Sequence, residues 1–372
     1  MQEIELPIGP SHPAMKEPER FTFLVDGEKV QSMRMRLGYT HRGVEKLLES
    51  KNYAQSIPLI ERVCGICQHA HSSCFCWGVE QLAGIEAPPR GQHIRTMMLE
   101  LERVHSHLLW FAFLFDDIGQ KALFMHLMDK RELIMDAFES ISGNRVHHAI
   151  NRIGGVRRDF DDQQAKHVAS AIAGIEEYLP KITGYLEDST VASRLKGVGA
   201  LSRDEARRLG VVGPVARASG LTMDTRRDHP YGAYPELDFA VITEDNGDCH
   251  ARALVRAREL SESIKIIREC FKAPAGDIAI KWMGNPAEGK VIQVIEAPRG
   301  EDMHFIVSDG TDKPNRVRIR PPTYANLASL PVLSQGANIA DIPPIIASLD
   351  PCFSCTDRML FVNSKGEVVK RC

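Results

Sequence analysis

Four cysteines stand in two pairs at opposite ends of the chain. Cys64 and Cys67 lie in Arg62-Val-Cys-Gly-Ile-Cys-Gln-His-Ala-His71, and Cys352 and Cys355 in Asp350-Pro-Cys-Phe-Ser-Cys. Two intervening residues let both sulfurs of a pair face one centre. Four thiolates gathered this way are ligands for a soft or borderline metal ion. A redox disulfide would use one such pair, normally beside a βαβ unit. A structural zinc would usually pin a small ribbon rather than join residue 64 to residue 352. Gly65 suits a tight turn between two ligands. His71, four residues past Cys67, falls one turn on if the segment is helical, within reach of a ligand sulfur. Cys74, Cys76, Cys249 and Cys270 lack matching spacing and read as buried small apolar residues.

The elements that must bring these pairs together are mostly helical. Residues 91–118 carry apolar side chains at helical spacing (Met97, Leu101, Val104, Leu108, Phe111), and 124–142, 161–186 and 249–271 read as further long helices. Residues 20–37 alternate around Asp26-Gly27, a hairpin signal. Residues 291–295 and 304–307 read as strands, 327–347 as helical pieces and 361–369 as a final hairpin. Residues 210–234, rich in Gly, Pro and Arg, read as a structured loop. No linker or repeat divides the chain, so the expectation is one α+β domain over 1–372: a bundle of long helices with small peripheral sheets. The 372 residues are 43% hydrophobic with a net charge of −3, which gives no nucleic-acid footprint. No secretory leader and no run of ~18 apolar residues is present. Nine cysteines without a leader point to a reducing compartment.

The two cysteine motifs, with Arg62 and His71, resemble the paired signatures of nickel–iron hydrogenase large subunits. Gly38-Tyr-Thr-His-Arg-Gly-Val-Glu45, Glu100-Leu-Glu-Arg-Val-His-Ser-His107, Asn151-Arg-Ile-Gly-Gly-Val-Arg157 and Arg226-Arg-Asp-His-Pro-Tyr231 are similar to the large quinone-site subunit of respiratory complex I. A chain with both sets resembles the energy-converting, membrane-bound hydrogenases (Ech, CO-induced and formate-hydrogenlyase type), from about residue 9 to residue 358.

That resemblance implies reversible hydrogen production at a NiFe(CN)2CO centre. Cys67 and Cys355 would bridge nickel and iron, and Cys64 and Cys352 would bind nickel alone. Arg299, in Glu296-Ala-Pro-Arg-Gly300, would hold a guanidinium over the open side of the metals, where a fixed cation polarises the cavity. Pro322-Thr323 would bind a cyanide ligand. Of two candidate proton carriers, Glu17 precedes the first hairpin as the gating glutamate does, and Glu45 sits nearer a C-terminal metal end or relays protons. Arg358 stands where most members have histidine, which speaks against a nearby magnesium. In the wider family maturation would remove the tail 359–372, although some members of this branch lack such processing. No other cysteine group has iron–sulfur spacing, so electrons would enter through a small iron–sulfur subunit fed by a ferredoxin-like carrier. Integral membrane subunits would hold the chain at the cytoplasmic face of the membrane. The rival readings are a complex I-like or sulfur-reducing relative, in which one or more of the four cysteines is typically lost, and a structural zinc scaffold.

Overall fold

The computed structural model describes residues 3–12, 15–365 and 367–371. Five long helices form the body: α1 (Gln68–Ala83), α2 (Pro89–Asp117), α3 (Lys121–Ser142), α4 (Asp162–Glu187) and α5 (Cys249–Cys270). Pro89 opens α2 at the position where a missing N–H costs nothing. Asp161 and Asp248 cap α4 and α5 by accepting the N–H groups of Gln164 and Ala251. Helix α2 is buried on every side through Leu99, Glu100, Leu101, Glu102, Arg103 and Val104, so it is the axis of the bundle. It packs against α3 and α5, while α4 packs against both of those.

A helix that carries Glu and Arg through a core must pair them. Glu100 meets Arg226 at 3.1 Å, Tyr234 at 2.5 Å and Ser263 at 2.7 Å. Burial opposes its ionisation, but Arg103 and Arg226 hold its pKa down at about 2. Arg217 joins Glu259 and Glu296, each at 2.8 Å. Of these residues Glu100, Arg103 and Arg226 belong to the blocks that resemble complex I, and all of the pairs are buried in the core.

Two antiparallel three-stranded sheets flank the bundle. The first is β1 (Ile4–Ile8), β2 (Arg20–Asp26) and β3 (Lys29–Arg36), with Phe21, Phe23 and Val25 turned inward at period two. The second is β4 (Gly289–Ala297), β5 (Gly300–Ser308) and β6 (Pro314–Arg320), and α1 lies across β4 and β5. Two glycines meet where the chain leaves Arg299. A Cβ on Gly213 would come 2.3 Å from the Gly300 Cα, so backbone packs directly on backbone there.

The hairpin expected at 20–37 gains β1 as a third strand, and the expected strands 291–295 and 304–307 are longer and gain β6. Arginine at every second position of Pro-Asn-Arg-Val-Arg-Ile-Arg hides that strand's apolar face in the sequence. The expected loop 210–234 contains helices, Gly213–Arg217 and Thr225–Asp228, too short to show a period. The final hairpin pairs Leu360–Val362 with Val368–Arg371. Among the described residues no helix is long and apolar enough to cross a membrane.

Candidate metal centre

Cys64 follows the helix Tyr53–Glu61, and its sulfur accepts the N–H groups of Ile66 at 3.2 Å and Cys67 at 3.3 Å. This sulfur-closed turn needs no special glycine. Gly65 is not in the left-handed region, and its nearest contact for an added Cβ is Val146 at 3.9 Å, which corrects the turn argument from sequence. Cys67 is the N-cap of α1, and the His71 N–H bonds the Cys67 carbonyl at 3.1 Å. From the other end, Cys352 gives its N–H to Thr323 Oγ1 at 3.1 Å, and Phe353–Cys355 forms one tight turn.

The four buried sulfurs then lie within 4.8 Å of one another. Cys64 is 3.4 Å from Cys352, Cys67 is 3.6 Å from Cys355, and Cys352 is 3.1 Å from Cys355. Four thiols this close cannot all ionise unaided. Hydrogen bonds from its neighbours hold the Cys64 pKa well down, while the Cys67 and Cys355 thiols are pushed up. A multivalent, thiophilic cation is what lets all four become thiolates, so the donor set fits nickel and iron. Cys74, Cys76, Cys249 and Cys270 are buried outside this cluster.

Residues 38–46 clamp the two motifs. Arg42 donates to the carbonyls of Arg62 at 3.0 Å, Val63 at 2.8 Å and Ser354 at 2.7 Å. Thr40 Oγ1 donates to the Phe353 carbonyl at 2.6 Å, and Asp357 accepts the backbone N–H groups of Arg42 and Val44. Glu102, on α2, accepts the His69 and Ala70 N–H groups at 2.7 and 2.9 Å and so anchors the start of α1.

The groups around the sulfurs are equally fixed. His71 places Nε2 3.5 Å from the Cys355 sulfur and Nδ1 3.0 Å from Asp302. Burial works to lower its pKa, but the negative charges of Asp302, Cys64 and Glu102 together raise it. Arg299 donates from Nε to the Asp350 carbonyl at 3.0 Å, pairs its Nη2 with the Asp350 carboxylate at 2.9 Å and reaches Ser106 at 3.3 Å. Asp350 holds a left-handed φ of 54°, a conformation this double grip supports. Arg299, Asp350 and Cys352 line a cavity of about 330 Å3 with Glu17, Trp110 and Phe113. Glu17 accepts the Phe353 and Ser354 N–H groups at 2.5 and 3.0 Å and the Ser354 hydroxyl. It therefore sits on the backbone between the two C-terminal thiols. Pro322 and Thr323 begin a short helix, Pro322–Leu327, beside Cys352.

Glu45 is tied up differently. It accepts the Ile319 N–H at 2.9 Å, and Arg318, Arg316 and Arg358 lie at 2.8, 3.4 and 3.5 Å. Arg358 also donates to the Ile319 carbonyl at 2.8 Å. Three guanidiniums already neutralise this carboxylate, and arginine offers no lone pair, so these residues do not fit magnesium. Sequence reading missed Arg42, Asp350, Asp302 and His304 as site residues. For the last two the signal was available: Asp302 and His304 are two apart on a strand, hence on one face.

Residues 42–116 match the model of nickel-dependent hydrogenases, and residues 117–283 and 278–358 match that of the respiratory-chain NADH dehydrogenase 49 Kd subunit. The chain is 39% identical to the carbon monoxide-induced hydrogenase of Rhodospirillum rubrum, over 96% of this chain and 100% of that one. It is 37% identical to the membrane-bound hydrogenase subunit alpha of Pyrococcus furiosus, over 98% and 90%. A solved archaeal respiratory complex, the membrane-bound sulfane sulfur reductase, contains a chain that superposes with a TM-score of 0.91 at 33% identity, over 95% of this chain and 98% of that one. With four thiols gathered in a fold of this kind, the chain belongs to the membrane-bound hydrogenase large-subunit family, related to the 49-kDa subunit of complex I.

Proposed function

We propose that this chain is the catalytic subunit of a membrane-bound, ion-translocating complex that interconverts protons, electrons and hydrogen at a nickel–iron centre. The observation that carries the reading is the cluster itself: all four cysteines are present and their sulfurs lie within 4.8 Å. When bound, the metal pair supplies the redox chemistry and the place where hydrogen is split or formed. Cys67 and Cys355 would serve both metals, and Cys64 and Cys352 would serve nickel. The chain's other residues bind, orient and carry protons. Arg299, gripped by Asp350, sets a rigid cation at the cavity wall. Its planar fork keeps one orientation, which polarises the cavity without reorganisation. Thr323 fixes the backbone of Cys352 and, with Pro322, would bind a cyanide ligand of the iron. His71 turns Nε2 towards the Cys355 sulfur. Glu17 collects the proton from the thiol side and passes it outward, and Glu45 holds the clamp together.

Among the described residues no second cysteine cluster exists, so electrons arrive through another chain. A small iron–sulfur subunit supplied by a ferredoxin-like carrier fills that role, and integral membrane subunits provide the ion path. The test is metal analysis of the purified native complex, followed by hydrogen evolution from a reduced viologen. Nickel and iron near one each per chain, with hydrogen formed, is the expected result. Zinc alone would make the cluster a structural site. Nickel and iron absent, with quinone or sulfur reduction present, would place the chain with its non-hydrogenase relatives.

A further inference from the structure

We infer that Asp302, with His304 beside it, is a positioning residue that fixes the His71 ring so that Nε2 faces the Cys355 sulfur. The inference rests on the proposed role of Cys355 as a metal ligand. Its geometry lies at the two ends of one imidazole. Nδ1 of His71 is 3.0 Å from Asp302 Oδ2, and Nε2 is 3.5 Å from Cys355 Sγ. His304 Nε2 completes the group, 3.3 Å from both His71 Nδ1 and Asp302 Oδ2. Solvent does not compete, since Asp302 and His304 are 0% and His71 1% exposed.

An imidazole ring turned by half a revolution swaps nitrogen for carbon at both ends. A carboxylate at one nitrogen removes that freedom and keeps a proton there, which is how carboxylate–histidine pairs hold a metal-site ring in place. The backbone that carries Asp302 is held from two sides. Asp302 lies two residues after Gly300, at the backbone-on-backbone contact with Gly213. Its own carbonyl accepts the thiol of Cys74, 3.8 Å away and one turn beyond His71 on α1. Strand and helix are thereby stitched at the level of the ring.

Asp302→Asn keeps the shape and removes the charge, and Asp302→Glu restores the carboxylate. The first measurement is 15N NMR of the full chain labelled at histidine, with the His71 ring signals assigned through His71→Gln. In Asp302→Asn these signals should move to a different tautomer or protonation state, and Asp302→Glu should return them part of the way. The second is infrared spectroscopy of the metal-loaded native complex. Asp302→Asn should keep nickel and iron, shift the stretching bands of the iron's diatomic ligands and slow hydrogen–deuterium exchange by about 10–100-fold. Unmoved His71 ring signals in Asp302→Asn would overturn the inference, whatever happens to activity. Unmoved infrared bands in a fully loaded Asp302→Asn complex would overturn it too. So would one zinc per chain in the wild type that Asp302→Asn loses, because Nδ1 would then serve a metal. Absence of nickel and iron from the wild type would refute the proposed function, while the ring signals would still decide the place of Asp302.

Discussion

Glu17→Gln separates proton transfer from architecture at the cysteine cluster. The carboxylate accepts two backbone N–H groups and one hydroxyl from the loop between Cys352 and Cys355. Glutamine has the same length, and its amide oxygen can accept the Phe353 and Ser354 N–H groups while its NH2 faces the Ser354 hydroxyl, which can accept in turn. All three contacts survive, but each loses its charge assistance, worth about 1 kcal/mol per bond between charged and neutral hydrogen bonds. Glu17 is half-buried, so the whole cost to stability is about 1–2 kcal/mol after solvent screening. The loop should stay in place and the metals should load. What glutamine cannot do is ionise. A lost acid–base group costs about 100-fold or more in rate, or ~2.7 kcal/mol in barrier. The assay is hydrogen–deuterium exchange by gas-phase mass spectrometry, run beside nickel and iron analysis of the same sample. Exchange within about threefold of wild type at full metal content would remove Glu17 from the proton path. Loss of metal with loss of exchange would make it a structural residue of the loop.

Arg299→Lys should retain nickel and iron yet lose most hydrogen evolution, because an ammonium cannot bond the Asp350 carbonyl, the Asp350 carboxylate and Ser106 from one plane; full activity would refute its role. Thr323→Val orphans the buried Cys352 N–H, a loss of about 1–3 kcal/mol that should appear as a lower Tm and reduced nickel content. Burial raises Glu61 to about 7, so the folded chain holds its proton more tightly than the unfolded chain does. Stability from this group is present at low pH and is lost as pH climbs from about 4.5 to about 7. Glu61→Gln should therefore stabilise the chain by about 2–3 kcal/mol at pH 8 and by much less at pH 5, read from urea unfolding at both values.

Short-range features of this chain were legible, and long-range ones were not. The paired spacing of Cys64 with Cys67 and of Cys352 with Cys355 is written within four residues each, and the long helices announce themselves by period. Strand β6 escaped because its polar face is arginine throughout, which reads as a basic run until Ile319 and Glu45 are seen to meet. Helices of four and five residues within 210–234 have no room for a period, and capping by Asp224 sets the second of them. The grip of Asp302 on His71 joins positions 231 residues apart by sequence difference (302 − 71), which no local pattern encodes. Arg42 stands in a block that resembles complex I, but its donation to both cysteine loops appears only when the chain ends are brought together.

The meeting of those ends changes what a bound metal would be to the chain as a polymer. Cys64 and Cys352 stand 288 positions apart, so an ion held by both converts most of the polypeptide into a closed ring. Treated as a cross-link, a ring of that size removes loop entropy from the unfolded ensemble worth about 5–6 kcal/mol at room temperature. That is comparable to the entire stability of many domains. Pairing across such a distance is also a late event on a folding path, because its closure entropy must be met before any contact rewards it. Insertion of such an ion would thus belong after the bundle has formed. From then on the two cysteine motifs could not separate until the ion had left.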